Sequence, residues 1–171
     1  IAVVSADANS YRGIIEPAFE RNGIPFFFSE KSDLCSKSLL KFIISAFRIK
    51  KFGWRTTDVI SHVKTGIYDI PQTNCDMFES YVTTWNIRGE GFLSDDWTMN
   101  PDGYNRMISE RGKRILTAAN NVRRTLTSAL VPFFTRLDAA DSPREMCLAL
   151  YEYLVSCKAE ERLGKIGAKH Q

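Results

Sequence analysis

Ile108, Gly112, Ile115, Ala119, Val122, Leu126, Ala129 and Phe133 recur at alternating steps of four and three residues. That is the spacing of one face of an α-helix packed lengthwise against its neighbours. A pattern this long commits the chain to a mainly α fold in which one helix forms a spine. Asp102 and Gly103 are expected to turn the chain into it, with Asp102 as cap. Pro132 is expected to kink or break it near its end, because an interior proline removes a backbone hydrogen bond.

The flanking segments supply helices to pack around such a spine. Between 36 and 50 the residues Leu39, Leu40, Phe42, Ile43, Ile44, Ala46, Phe47 and Ile49 surround most of the helical circumference, so this helix is expected in the middle of a core. A helix over 57–65 gathers Val59, Ile60 and Val63, with Thr56 or Thr57 as cap and Gly66 as stop. Another over 73–85 sets Phe78, Tyr81, Val82 and Trp85 at i, i+3, i+4 and i+7. The stretch NIRGEGFLSDDWTMNPDG has no period, yet Phe92 and Trp97 predict an ordered loop packed on the bundle. The last helix begins at Ser142-Pro143 with Glu145 in capping-box position, and its stripe is read as Leu148, Tyr151, Leu154 and Val155. Beyond Gly164 the tail reads as frayed.

The first thirty residues follow another pattern. IAVV and IPFFF read as strands on either side of a helix striped by Ile14, Ile15, Ala18 and Phe19, capped by Asn9 or Ser10 and closed at Asn22-Gly23. Pro17 predicts a late start or slight kink. Two strands make no stable sheet alone, so further strands are expected from outside these residues. The fold class expected is therefore a helical bundle with a short β-α-β segment at its start.

Composition narrows the chemistry. Among 171 residues, 44% are hydrophobic and 25% charged, which excludes a disordered or fibrous chain, and the formal net charge of +3 permits nucleic acid without requiring it. The longest apolar run, FIISAF, is far too short for a membrane span, and a start on Ile1 without a leader pattern suggests a chain cut from a longer one. Cys35, Cys75, Cys147 and Cys157 lack C-x-x-C spacing and read as reduced thiols of a cytoplasmic protein.

No phosphate-binding loop is present, and VVSADANS contains no glycine. His62 and His170 have no spaced partner for zinc or for nucleophilic catalysis, and His62 reads as a surface or interface residue. Asp95 and Asp96 lack a third ligand for a metal. No catalytic or metal residue is therefore assigned. Basic residues are more suggestive: Arg106, Arg111, Lys113, Arg114, Arg123 and Arg124 lie off the apolar stripe of the long helix, and Arg48, Lys50, Lys51 and Arg55 cluster earlier. Such groups either contact phosphates or form a solvated, partly paired face. Trp54 and Trp97 either stack on bases or pack beside helix ends.

With these residues in place, the opening IAVVSADANSYRGIIEPAFERNGIPFFFSEK resembles the strand-helix-strand that begins the second RecA-like domain of UvrD-like superfamily 1 helicases. GWRTTDVISHVKTG and YVTTWNIRGEGF are similar to the B subunit of bacterial AddAB helicase-exonucleases, through Gly23, Ile24, Pro25, Trp54, Arg55, Lys64, Thr65, Gly66, Arg88, Gly89 and Trp97. The closing LYEYL and EERL fit as well, whereas SDLCSKSLLKF departs where the family carries His or Pro before the helix.

The resemblance implies that 1–30 belong to that RecA-like domain and 31–171 to the helical 2B insertion of such a helicase. The whole protein would partner an A subunit and use ATP, magnesium and an iron–sulfur cluster to unwind and degrade double-stranded DNA ends for recombinational repair. Its Walker motif and its nuclease and cluster residues would lie outside these residues. This piece would be non-catalytic, guiding DNA through Arg55, Lys64, Arg111, Lys113, Arg114, Arg123 and Arg124 or contacting the A subunit. The alternative is a helical scaffold that binds only other protein domains.

Overall fold

A computed structural model describes residues 3–6, 9–28, 37–104 and 107–168. The chain divides into two compact units, Ile1–Leu34 and Cys35–Gln171.

In the first unit a 3-10 turn at Asn9–Tyr11 leads into α1, Arg12–Arg21. Asn9 and Ser10 therefore lie in this turn, and the residue at the cap position is Tyr11, whose side chain makes no capping bond. Pro17 sits inside α1 as its sixth residue, so the helix does not start late enough to bring the proline into its first turn. Its end is closed by the Gly23 amide on the Glu20 carbonyl (3.1 Å) and the Ile24 amide on the Phe19 carbonyl (2.9 Å), with Gly23 at φ +64°. The expected strands do not form among the described residues: 3–5 and 24–28 carry no strand, and residues 1–2 lie outside the described set. A strand exists only as part of a hydrogen-bonded ladder, and neither segment has one. Val3, Val4 and Phe27 are exposed, and Val3, Ile15, Phe19, Pro25 and Phe26 border an unfilled apolar hollow.

The second unit is a bundle of α2 (Ser38–Phe52), α3 (Thr56–Val63), α4 (Gln72–Thr84), α5 (Glu110–Ala139), α6 (Pro143–Ser156) and α7 (Ala159–Ala168). The expected spine is α5, which packs against α4 and α6, while α2 packs against α3. Its stripe residues Gly112, Ala119, Val122, Leu126 and Phe133 are all buried. Pro132 does not end it. Leu130, Phe133, Phe134 and Leu137 are buried around the proline. Each such side chain contributes about 1.5–3 kcal/mol when removed from water, which together outweighs the ~3 kcal/mol cost of an interior proline.

Three further expectations are corrected. The helix apolar all round, α2, buries one face only, Phe42, Ser45, Ala46 and Ile49, and leaves Ile44, Phe47 and Phe52 exposed, because its helical neighbours cover a single side. In α6 the buried positions are Ala149 and Tyr153; of the expected stripe, Leu154 is half-buried against the core, while Leu148, Tyr151 and Val155 face solvent. Tyr153 wins the interior because its ring stacks on Phe133 (4.5 Å) and its hydroxyl finds a buried partner.

That partner is His62, the third correction, which is fully buried rather than at the surface. Its ring stacks on Phe42 at 4.3 Å. Ser45 Oγ, which donates to the Lys41 carbonyl (2.6 Å), lies 2.7 Å from Nδ1, so the imidazole donates there and its Nε2 accepts from the tyrosine pair. Tyr153 and Tyr68 hydroxyls lie 2.9 and 3.1 Å from Nε2 and 2.9 Å from each other. Burial holds the His62 pKa down at about 3, so the ring is neutral.

Several of the residues that carry the family resemblance shape the backbone. Gly53 and Trp54 both take left-handed conformations, φ +69° and +54°, which turns the chain sharply out of α2. The Trp54 carbonyl then accepts the Gly89 amide (3.1 Å), and Thr56 donates to the Ile87 carbonyl (2.6 Å), so GWR and IRG clasp each other. Phe92 and Trp97 are buried, as the ordered loop requires, and Trp54 packs on Phe92 and Phe134.

Candidate nucleic-acid interface

From residue 111 to 137 the chain contains no Asp or Glu, yet includes Arg111, Lys113, Arg114, Arg123, Arg124 and Arg136. This run lies within α5, so its side opposite the buried stripe is a face of basic, hydroxyl and amide side chains. Lys113, Arg114, Thr117, Asn121, Arg124 and Ser128 are exposed there. Lys113, Arg114 and Asn121 border a shallow groove against Asn74 and Met77 of α4.

The start of α5 is set by Ser109, whose Oγ accepts the Gly112 amide (3.0 Å). Asp102 does not cap the helix directly; its Oδ2 accepts the Ser109 amide (2.8 Å) and so fixes the capping residue. Backbone and side-chain hydrogen bonds from Ser109 hold the Asp102 carboxyl below its usual range.

The loop ahead of α5 is tied to it by polar contacts. Asn120 Oδ1 accepts the Trp97 amide (2.8 Å) and Asn120 Nδ2 donates to the Trp97 carbonyl (2.9 Å), a two-point clamp on one residue's backbone. Arg123 donates to the Ser94 carbonyl (2.5 Å) and to Asp96 Oδ1 (2.6 Å), and Arg124 also pairs with Asp96. Their hydrogen bonds, that of Arg124 foremost, hold the Asp96 carboxyl below its usual range. Asp96 therefore organises arginines. Trp97 stacks on Tyr81 at 5.5 Å, and both Trp54 and Trp97 are buried, so neither offers a free ring for a base.

The structure does not gather the seven expected DNA contacts into one patch. Arg55 and Lys64 stand at the two ends of α3, Arg55 bound to Asp58 (2.9 Å) and Lys64 to Glu79. Arg123 is buried and engaged with the loop. Arg111, Lys113, Arg114 and Arg124 are exposed on α5; Lys113 pairs with Glu110 (2.7 Å), and Arg124 leans on Asp96. Arg106 and His170 lie outside the described residues.

Sequence reasoning missed the buried polar members: Asp58, His62, Asn120 and Tyr153. For Asp58 a signal existed, since Arg48 and Arg55 lie ten residues before and three before it. Nothing local marks Asn120 as a clamp on residue 97.

No protein-family model matches the chain. Curated relatives do. A Clostridium tetani protein is 30% identical over 158 residues, covering 90% of this chain. One from Clostridium acetobutylicum is 30% identical over 169 residues, covering 97% of it, and one from Acetivibrio thermocellus 28% identical over 165 residues. All three carry the name of the B subunit of an ATP-dependent helicase/deoxyribonuclease. The chain matches a segment of that protein. It spans 14–15% of the length of these relatives, and the resemblance to the B subunit stands.

Among the described residues no three His, Cys, Asp or Glu side chains are placed to share a metal, and Cys75, Cys147 and Cys157 are free thiols, the first buried and the second exposed. Cys35 lies outside the described residues. No helix among the described residues is long and apolar enough to cross a membrane.

Proposed function

We propose that this chain is a non-catalytic helical module of a helicase–deoxyribonuclease B subunit, and that the outer face of α5 guides duplex DNA by its phosphates. One observation carries the reading: 27 consecutive residues without an acid, folded as a single helix whose outer face exposes Lys113, Arg114 and Arg124, with Arg111 exposed on its first turn. Cations and neutral donors on a rigid rod suit a backbone that repeats one negative charge every few ångströms. Within the whole protein, residues 31–171 would then be the 2B-type insertion, working beside an A subunit and a motor that uses ATP and magnesium, on DNA ends destined for recombinational repair in the cytoplasm.

The test is binding of a forked duplex across a salt series. Replacing Arg111, Lys113, Arg114 and Arg124 together by Gln is expected to weaken binding and to flatten the logarithmic salt dependence by roughly 3 to 4, one for each phosphate no longer neutralised. Arg123 is left in place because it supports the fold. Binding that ignores salt, or that survives the four substitutions, removes this reading.

A second reading, a scaffold that binds only protein domains, is favoured by the exposed apolar face of α6, with Leu148, Tyr151 and Val155. It gains if those three positions, rather than the cations of α5, control association with the A subunit.

A further inference from the structure

Away from the face of α5, three cations converge on one exposed ring. Phe52, the last residue of α2, keeps 42% of its surface open to solvent. The Arg55 guanidinium lies 4.2 Å from the ring centroid, Lys51 Nζ 5.4 Å and the Arg48 guanidinium 5.7 Å, all within reach of cation–π attraction. Beneath them Asp58, only 4% exposed, accepts from Arg48 through one carboxylate oxygen (2.7 Å) and from Arg55 through the other (2.9 Å). The two guanidiniums are thus held by a buried anchor.

Charge and shape narrow the ligand. One carboxylate stands against three cations, and Lys51 has no ion pair among the described residues. A lysine in the last turn of a helix is favourable on its own account, but that does not explain a solvent-exposed aromatic ring among arginines. An acidic peptide would satisfy the cations and leave the ring bare, and a duplex offers phosphates while hiding the faces of its bases. A single strand presents one anion for each flat ring. A groove between α2 and α3, bordered by Lys41, Ile44, Thr57 and Ser61, continues from Arg48 and Asp58 and gives such a strand a path.

We propose that Phe52, Arg48, Lys51 and Arg55 form a binding site for single-stranded nucleic acid, one base stacking on the Phe52 ring or the Arg55 guanidinium while Arg48 and Lys51 hold the flanking phosphates. This shares with the preceding reading only the premise that the chain meets nucleic acid; the surface and the form of the ligand are different.

The experiment measures binding of the whole chain to a short oligothymidylate, to an abasic oligomer of equal length and charge, to a duplex and to polyglutamate. Phe52→Ala, at an exposed position, is expected to keep the thermal midpoint, to weaken oligothymidylate binding about tenfold, and to leave the abasic oligomer and the duplex within about twofold. Lys51→Gln is expected to weaken both oligomers and reduce their salt dependence. The site is overturned if wild-type protein does not bind the oligothymidylate, or if Phe52→Ala binds it as wild type does. It is equally overturned if the loss is the same on the abasic oligomer or on polyglutamate. Duplex binding lost through the α5 substitutions but indifferent to Phe52, or the converse, separates failure of one reading from failure of the other.

Discussion

His62 shows how one residue can be chemically silent and structurally decisive. Its Nδ1 faces Ser45 and its Nε2 faces two tyrosine hydroxyls, so both ring nitrogens are satisfied only when the ring is neutral. In the unfolded chain the imidazole takes a proton near pH 6.5, in the fold only near 3. Between these values the unfolded state holds more protons, so stability falls as pH falls. Roughly 2 kcal/mol is expected to be lost between pH 6.5 and about pH 5. Asp58 adds a loss of the same sign at lower pH: burial opposes its ionisation, but the hydrogen bonds from Arg48 and Arg55 prevail and hold its carboxyl below the usual range. Urea midpoints measured from pH 7 to 5 should therefore drop in the wild type and stay nearly level in His62→Gln. Equal slopes in the two proteins would remove His62 as the cause. A histidine between a serine and a valine on a helix gives no sequence sign of this role, because its partners lie 17, 6 and 91 residues away on other segments.

Among the elements, α5 was the most legible and α6 the least. The four-and-three spacing of α5 survives in the structure because its buried face is made of aliphatic and aromatic side chains that periodicity counts correctly. In α6 the rule favoured Leu148, Tyr151, Leu154 and Val155, of which only Leu154 packs against the core, while the interior selected Ala149 and Tyr153. Small residues and a hydrogen-bonded phenol score weakly in a hydrophobic stripe. The junction before α5 allows a sharp test. A methyl group on Gly112 would fall 2.5 Å from Asp102 Oδ2 and 2.9 Å from Ile108 Cγ2. Alanine gains about 1 kcal/mol in helix propensity, but displacing Asp102 breaks its bond to the capping residue and overpacks the site at about 1–3 kcal/mol. Gly112→Ala is thus expected to be neutral to destabilising by up to about 2 kcal/mol in chemical denaturation, and clear stabilisation would show that Asp102 yields freely.

On the scale of the whole molecule, the core cluster draws on residues from Phe42 to Ala159, and α1 has no buried residue. A chain that starts at residue 35 is therefore expected to keep the urea midpoint and m-value of the longer one. A lower m-value would mean that the first unit adds surface to the cooperative fold.

The sequence alone determined the mainly helical class, the spine, the ordered aromatic loop and the similarity to a helicase–deoxyribonuclease B subunit, because each is written in local periodicity or in short runs of residues. It also suggested strands at 1–4 and 24–28, since β-branched and aromatic runs state a preference that only a partnering ladder can realise. Which cations are engaged inside the molecule was decided by tertiary structure. Arg123 is buried on Ser94 and Asp96, while Arg48 and Arg55 are gathered on Asp58 beside Phe52. Charge in a sequence has a sign and a position along the chain, but its availability depends on what folds against it.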